Sequence, residues 1–190
     1  MEQISTKILQ FQHISAATKE ATEYIKKRKN HEVKSLKTRW NKFNAVCMGG
    51  IEPNTVYTIV GISGSGKSSF VNTLENDLID LNSDQDVIVL NFSFEMLSSR
   101  QVGRKLSSKL RLTTAELYSA NNDLDNESLA KVEETSQQIK SYPIYYVDTP
   151  GTVEDIASTI DYFYENKAKG KKFIVCLLYT SPSPRDGLLS

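Results

Sequence analysis

The chain has 190 residues, 39% hydrophobic and 24% charged, the composition of a soluble globular protein with room for one domain plus an appendage. Lys+Arg 23 balance Asp+Glu 23, yet residues 1–44 hold ten Lys/Arg against four Glu, so a basic arm of +6 precedes a body of −6. No apolar run is long enough for a membrane span, the N-terminus lacks the apolar core of a secretory signal, and Cys47 and Cys176 have no metal or redox spacing, all of which predicts a reducing, cytoplasmic setting (host cytoplasm for a viral source).

Ile14, Ala17, Ala21, Tyr24 and Ile25 recur at helical spacing and predict an amphipathic helix over about 15–29. Its apolar surface is too small for a domain, so it is expected to dock elsewhere. The basic arm suits a partner subunit or nucleic acid, and equally a solvated helix face. Residues 30–44 read as a linker or irregular lead-in, which puts a basic N-terminal segment at 1–42 and the start of an ordered core near Phe43. Gly49-Gly50 and Pro53-Asn54 mark a turn. Thr55 to Val60 is rich in β-branched residues and is expected to be a buried strand, followed by a helix from Lys67 to about Leu81 burying Phe70, Leu74 and Leu78.

The run Val87-Ile88-Val89-Leu90 predicts a second buried strand over 86–92. Ser98 or Ser99 can cap a helix reaching about Leu110, and further helices are expected near 114–120 and 127–140. A third strand is expected over 143–147. Thr152 with Asp155 three residues on has the spacing of a capping box, opening a helix to about Ala168 that buries Ile156, Ile160 and Phe163. Lys172 to Val175 begins a fourth strand. Strands alternating with helices predict an α/β fold with a mostly parallel sheet covered on both faces.

Cys176 to Asp186 resembles one reading frame of a sequencing-library adapter, with Gly187 to Ser190 as a barcode running on from it. The expectation is that 176–190 is an adapter-derived tail, the alternative being a natural Pro-rich tail, and that 43–175 is the N-terminal part of a domain left incomplete at its C-terminus.

Gly61-Ile62-Ser63-Gly64-Ser65-Gly66-Lys67-Ser68 matches Gly-x-x-x-x-Gly-Lys-Ser between an expected strand and an expected helix, the context this phosphate-binding loop requires. Gly61, Gly64 and Gly66 let the backbone curl so that its N–H groups face phosphate oxygens, beside the positive end of the following helix. Ser63 and Ser65 are small enough to leave the cradle open. Lys67 is expected to reach the β- and γ-phosphates, the Ser68 hydroxyl to ligate Mg²⁺, and Ser69 to complete the nucleotide-binding set. By position, Glu95 at the end of the second strand is a candidate to activate the water that attacks the γ-phosphate, or else a surface carboxylate.

Phe92-Ser93-Phe94-Glu95-Met96, followed by Ser98-Ser99 and Gln101, resembles the Phe-Ser-Leu-Glu-Met-Ser element of DnaB-type replicative helicases. The departures are Phe94 for Leu and an extra Leu97. Gly49-Gly50-Ile51-Glu52-Pro53 resembles the Gly-Gly-Leu-x-Pro turn before the phosphate loop of these proteins and their RecA-like relatives. Ile144 to Gly151 resembles the family's Asp-Thr-Pro-Gly segment, and the helix near 15–29 sits where the family has a linker helix that packs on a neighbouring subunit. The resemblance covers about 45–175. It implies a RecA-like P-loop NTPase fold and a helicase motor that binds ATP with Mg²⁺. It further implies Glu95 as catalytic base with Lys67 at the phosphates, a hexameric ring, and translocation on single-stranded DNA in replication.

Two other readings stay open. Val147-Asp148-Thr149-Pro150-Gly151 fits the Asp-x-x-Gly switch of a GTPase, although it lies 87 residues beyond Gly61, no Asn-Lys-x-Asp guanine reader is present, and Phe92–Met96 is left unexplained. A plain strand-to-helix turn accounts for it as well. A non-motor RecA/KaiC-like ATPase would share loop and sheet.

Overall fold

Val87–Ser93 (β1) is the central strand, and every one of its seven residues is buried. The period-2 alternation of a strand explains why a continuous apolar run was needed there. Ile88, Leu90 and Phe92 face one side and pack with Phe163 and Ala168, with Ile156, Ile160 and Phe173 against them. Val87 and Val89 face the other side and pack with Leu36 and Leu78, supported by Leu74 and Ile79. The computed structural model describes residues 11–121 and 124–178.

The chain divides into two units, Met1–Ser35 and Leu36–Ser190. The first contains the helix Ile14–Lys29 (α1), which has no buried residue; Ile14 and Ile25 are exposed. His13 caps it by accepting from the Ser15 N–H, and four basic residues fill its last turn, where they meet the negative end of the helix dipole. The expected docking of its apolar stripe remains a proposal.

In the second unit a short helix, Asn41–Val46 (α2), precedes the helix Lys67–Asp80 (α3) and β1. Helices Ser98–Leu110 (α4), Thr114–Tyr118 (α5) and Asn126–Ile139 (α6) lead to the strand Ile144–Val147 (β2). The helix Val153–Phe163 (α7) runs through a π-helical turn, Tyr164–Ala168, to the strand Lys172–Leu178 (β3). The strands lie in the order β2-β1-β3, both pairings parallel, with Val89 opposite Ile144 and Val87 opposite Lys172. Parallel neighbours need crossover connections, which α4–α6 and α7 supply. The α/β class with a parallel sheet covered on both faces is as expected.

The Thr152–Asp155 capping box is present in both directions: Asp155 N–H donates to Thr152 Oγ1, and the Asp155 carboxylate accepts from the Thr152 N–H. The Thr152 N–H and the Thr152 hydroxyl, both donating to the Asp155 carboxylate, hold its pKa below the usual 3.8. A lowered carboxylate pKa adds stability above the unfolded value that is lost as pH falls through the native one. Asp155→Asn is therefore expected to flatten the acid limb of a helicity titration below about pH 4, read by circular dichroism.

Four features differ from the sequence reading. Thr55–Val60 is not a strand: Val56 is 90% and Val60 84% exposed. A strand is stabilised by ladder bonds and burial, and both edges of β1 are already taken by β2 and β3. The packed core begins ahead of Phe43, since Leu36 is 3% exposed. Its backbone pairs with Ile51, and the Asn82 amide clamps the next residue, accepting from Lys37 N–H at 2.8 Å and donating to Lys37 O at 3.0 Å. Neither Ser98 nor Ser99 caps α4; Leu97 is at the cap position and another side chain supplies the acceptor, as described below. Finally, β3 continues through Cys176, Leu177 and Leu178, in register with Asn91, Phe92 and Ser93, while the rest of the expected tail, 179–190, lies outside the described residues.

Candidate nucleotide site

Residues 61–66 form an exposed loop that turns directly into α3. Gly64 and Gly66 have φ of 78° and 88°, left-handed conformations that side-chain-bearing residues resist. At Gly61 a Cβ would stand 2.5 Å from Ser65 Oγ, so a side chain there would displace the Ser65 hydroxyl. Gly66 is the N-cap of α3, no side chain accepts from the first turn, and that turn contains no acidic residue. The free N–H groups and the helix dipole therefore present a positive, uncapped end at the mouth of the loop. Lys67 Nζ donates to Gly61 O at 2.8 Å and Ile62 O at 3.1 Å, which holds the ammonium across that mouth. Ser68 is half-buried; Ser63, Ser65 and Ser69 are exposed. The eight residues singled out from sequence thus come together in one loop and one helix start, and the arrangement suits phosphate.

Trp40 stacks on Phe70 with ring centroids 4.6 Å apart, one turn beyond Lys67. Arg39 pairs with Asp77 of the same helix, its Nε 2.9 Å from Oδ1. The segment before α2, read from sequence as a linker or irregular lead-in, therefore braces α3 from outside. Beside the loop a cavity of about 380 Å³ opens between α3 and α4, lined by Ser69, Thr73, Arg104, Ser108 and Arg111 among others.

Glu95 lies just beyond the last residue of β1, exposed to solvent. Strand ends of a parallel sheet are where ligands meet such folds. The loop it occupies is tied at both ends. At its start the Ser93 hydroxyl donates to Met96 O, and at its end the Ser98 N–H donates to both carboxylate oxygens of Asp148, each at 3.1 Å. Asp148 is thus the missing cap of α4, reaching from the end of β2. Asp148→Ala is expected to cost about 1 kcal/mol in a urea titration, the usual value of a helix cap, and Asp148→Asn less.

Behind the loop lies a buried polar cluster that the sequence reading did not find. Glu75 and Lys105, 2% and 1% exposed, form an ion pair between α3 and α4, and Asn91 in the middle of β1 donates to Glu75 at 2.5 Å. Burial pushes the Lys105 pKa down while the Glu75 charge opposes that shift. Burial likewise pushes the Tyr146 hydroxyl upward. The available signals were Asn91 inside an apolar strand and polar residues 72, 75 and 76 on the inner face of α3.

Among the described residues no three His, Cys, Asp or Glu side chains cluster as a metal site, and no helix is long and apolar enough to cross a membrane. A search of curated proteins returned no match. A solved structure described as an ATPase domain is similar over 90% of this chain and 58% of its own, with a TM-score of 0.67 and 18% identity. A second, described as a DnaB-like replicative helicase and its interactions with primase, is similar over 91% of this chain and 40% of its own, with a TM-score of 0.64 and 16% identity. These likenesses establish the fold, and the chain spans little more than half the length of the first and less than half of the second. The sequence profile of the DnaB-like helicase C-terminal domain matches residues 35–176, from the edge of the Leu36 core into β3, and the chain belongs to that family.

Proposed function

We propose that this chain is the N-terminal part of the ATP-hydrolysing motor domain of a hexameric replicative DNA helicase. The observation that carries the reading is the uncapped start of α3 beneath the loop Gly61–Gly66, followed one strand later by Glu95 at the end of β1. In this reading the N–H groups of 64–68 and the Lys67 ammonium hold the β- and γ-phosphates of ATP. The Ser68 hydroxyl would help to hold Mg²⁺, which would neutralise charge on the phosphates. Ser63, Ser65 and Ser69 line the cradle. Glu95 orients and deprotonates the attacking water, a task that suits an exposed carboxylate carried on a short tied loop.

The GTP-switch reading of Asp148–Gly151 loses its main support, because the Asp148 carboxylate is engaged by the Ser98 N–H as a helix cap. A non-motor ATPase differs in what drives turnover. In the full-length protein, oligo-dT is expected to stimulate ATP hydrolysis and to be bound in an ATP-dependent, salt-sensitive way. Hydrolysis indifferent to single-stranded DNA would favour the non-motor reading.

A further inference from the structure

The nucleotide loop and the Glu95 loop are joined by a continuous chain of hydrogen bonds, buried in its middle and half-buried at its two ends. Asn72 Nδ2 donates to Ser68 O at 2.8 Å and also to Gln101 Oε1. Gln101 Nε2 donates to Ser93 Oγ at 2.9 Å, and the Ser93 hydroxyl donates its own proton to Met96 O. Gln101 is 0%, Asn72 1% and Ser93 2% exposed, so water does not stand in for the bonds among these three side chains.

The direction of the chain is forced. A serine hydroxyl has one proton, and here it is spent on Met96 O, so Ser93 Oγ must accept from Gln101. That fixes the Gln101 amide with Oε1 toward Asn72, and Asn72 must then offer its NH₂, whose second proton goes to Ser68 O. Turning the Asn72 amide would set Oδ1 against two acceptors, which is why Oδ1 is the atom left without a partner. Each break would leave a buried donor or acceptor unpaired. The five residues of the relay, Ser68, Asn72, Gln101, Ser93 and Met96, are consequently coupled in position.

We propose that Gln101 is a positioning residue that fixes the Glu95-bearing turn, through Ser93 and Met96, to the first turn of α3, through Asn72 and Ser68. It touches neither phosphate nor water itself. A polyphosphate seated on α3 immobilises Ser68, and the relay transmits that order to residues 94–98. This rests on the nucleotide reading given above and goes beyond it in naming the link between the two loops.

The test is amide hydrogen exchange of residues 94–98 with and without ATPγS and Mg²⁺, alongside calorimetric affinity for the same ligand. In the wild type the ligand is expected to slow exchange there about fivefold or more, the equivalent of one relay bond. Gln101→Leu and Ser93→Ala are expected to bind ATPγS within about threefold of wild type, less than one hydrogen bond's worth, yet to lose this protection. Ser93→Ala deletes a single hydroxyl, so it decides the matter should Gln101→Leu fail to fold. Binding with protection intact in Ser93→Ala overturns the proposal, as does wild-type binding with no protection. Failure of the wild type to bind ATPγS overturns the nucleotide reading, and the proposal with it.

Discussion

Glu75→Ala is expected to destabilise the second unit by about 3–5 kcal/mol, because it strands the Lys105 ammonium in an interior where burial already pushes its pKa down. The loss extends past one ion pair. Asn91 Nδ2 also loses its acceptor, and Asn91 Oδ1 already lacks a partner. Typical domains have about 5–15 kcal/mol in total, so a change of this size brings the variant close to unfolding at room temperature. Lys105→Ala acts in the same direction by leaving the Glu75 carboxylate unpaired. Replacing both partners, as in Glu75→Leu with Lys105→Met, is expected to recover most of the loss, since removing a buried pair together is far cheaper than removing half of it. Urea midpoints followed by circular dichroism distinguish these cases. Equal midpoints for wild type and Glu75→Ala would show that the pair is not buried as described.

Glu95→Gln is expected to separate binding from hydrolysis in the full-length protein. Glutamine keeps the size of the side chain and its ability to hold a water, but it cannot take a proton. The expected result is ATP affinity within about threefold of wild type and turnover reduced about 10²–10⁴-fold, the usual contribution of a general base. Because Glu95 is exposed and has no structural partner among the described residues, the unfolding midpoint should not move. Retained turnover would remove Glu95 from the mechanism and leave the phosphate loop without an assigned base.

What could be read from the sequence follows from where the determining forces lie. The helix boundaries of α1, α3, α6 and α7 and the strand β1 depend on local periodicity and caps, and apart from the π-helical end of α7 they lie within a residue or two of expectation. The turn at Thr152 was legible because both members of its capping box are three residues apart. Thr55–Val60 was misread because β-branched composition records only fitness for a pleated, half-buried surface, and a ladder partner lies elsewhere in the chain. Leu36 was missed because one apolar residue between Ser35 and Lys37 has no periodicity, and only its Ile51 pairing places it in the core.

The site divides in the same way. The turn from the loop Gly61–Gly66 into α3 was legible, since the backbone conformation it needs is written in its glycines. The Asp148 cap and the Gln101 relay were not, because their partners are 50 and 29 residues apart in sequence and in different elements. A polar residue bound for such a partner looks, in sequence, like any surface residue.

Nucleotide binding itself is tested most directly by titrating this chain with Mg·ATP, followed calorimetrically and through Trp40, its single tryptophan, which stacks on Phe70 of α3. The expected result is saturable binding that perturbs Trp40 emission and weakens about 10–100-fold in Lys67→Ala, as follows from losing a charged hydrogen bond to phosphate. No binding by calorimetry, or equal affinity in wild type and Lys67→Ala, would contradict the phosphate-loop assignment.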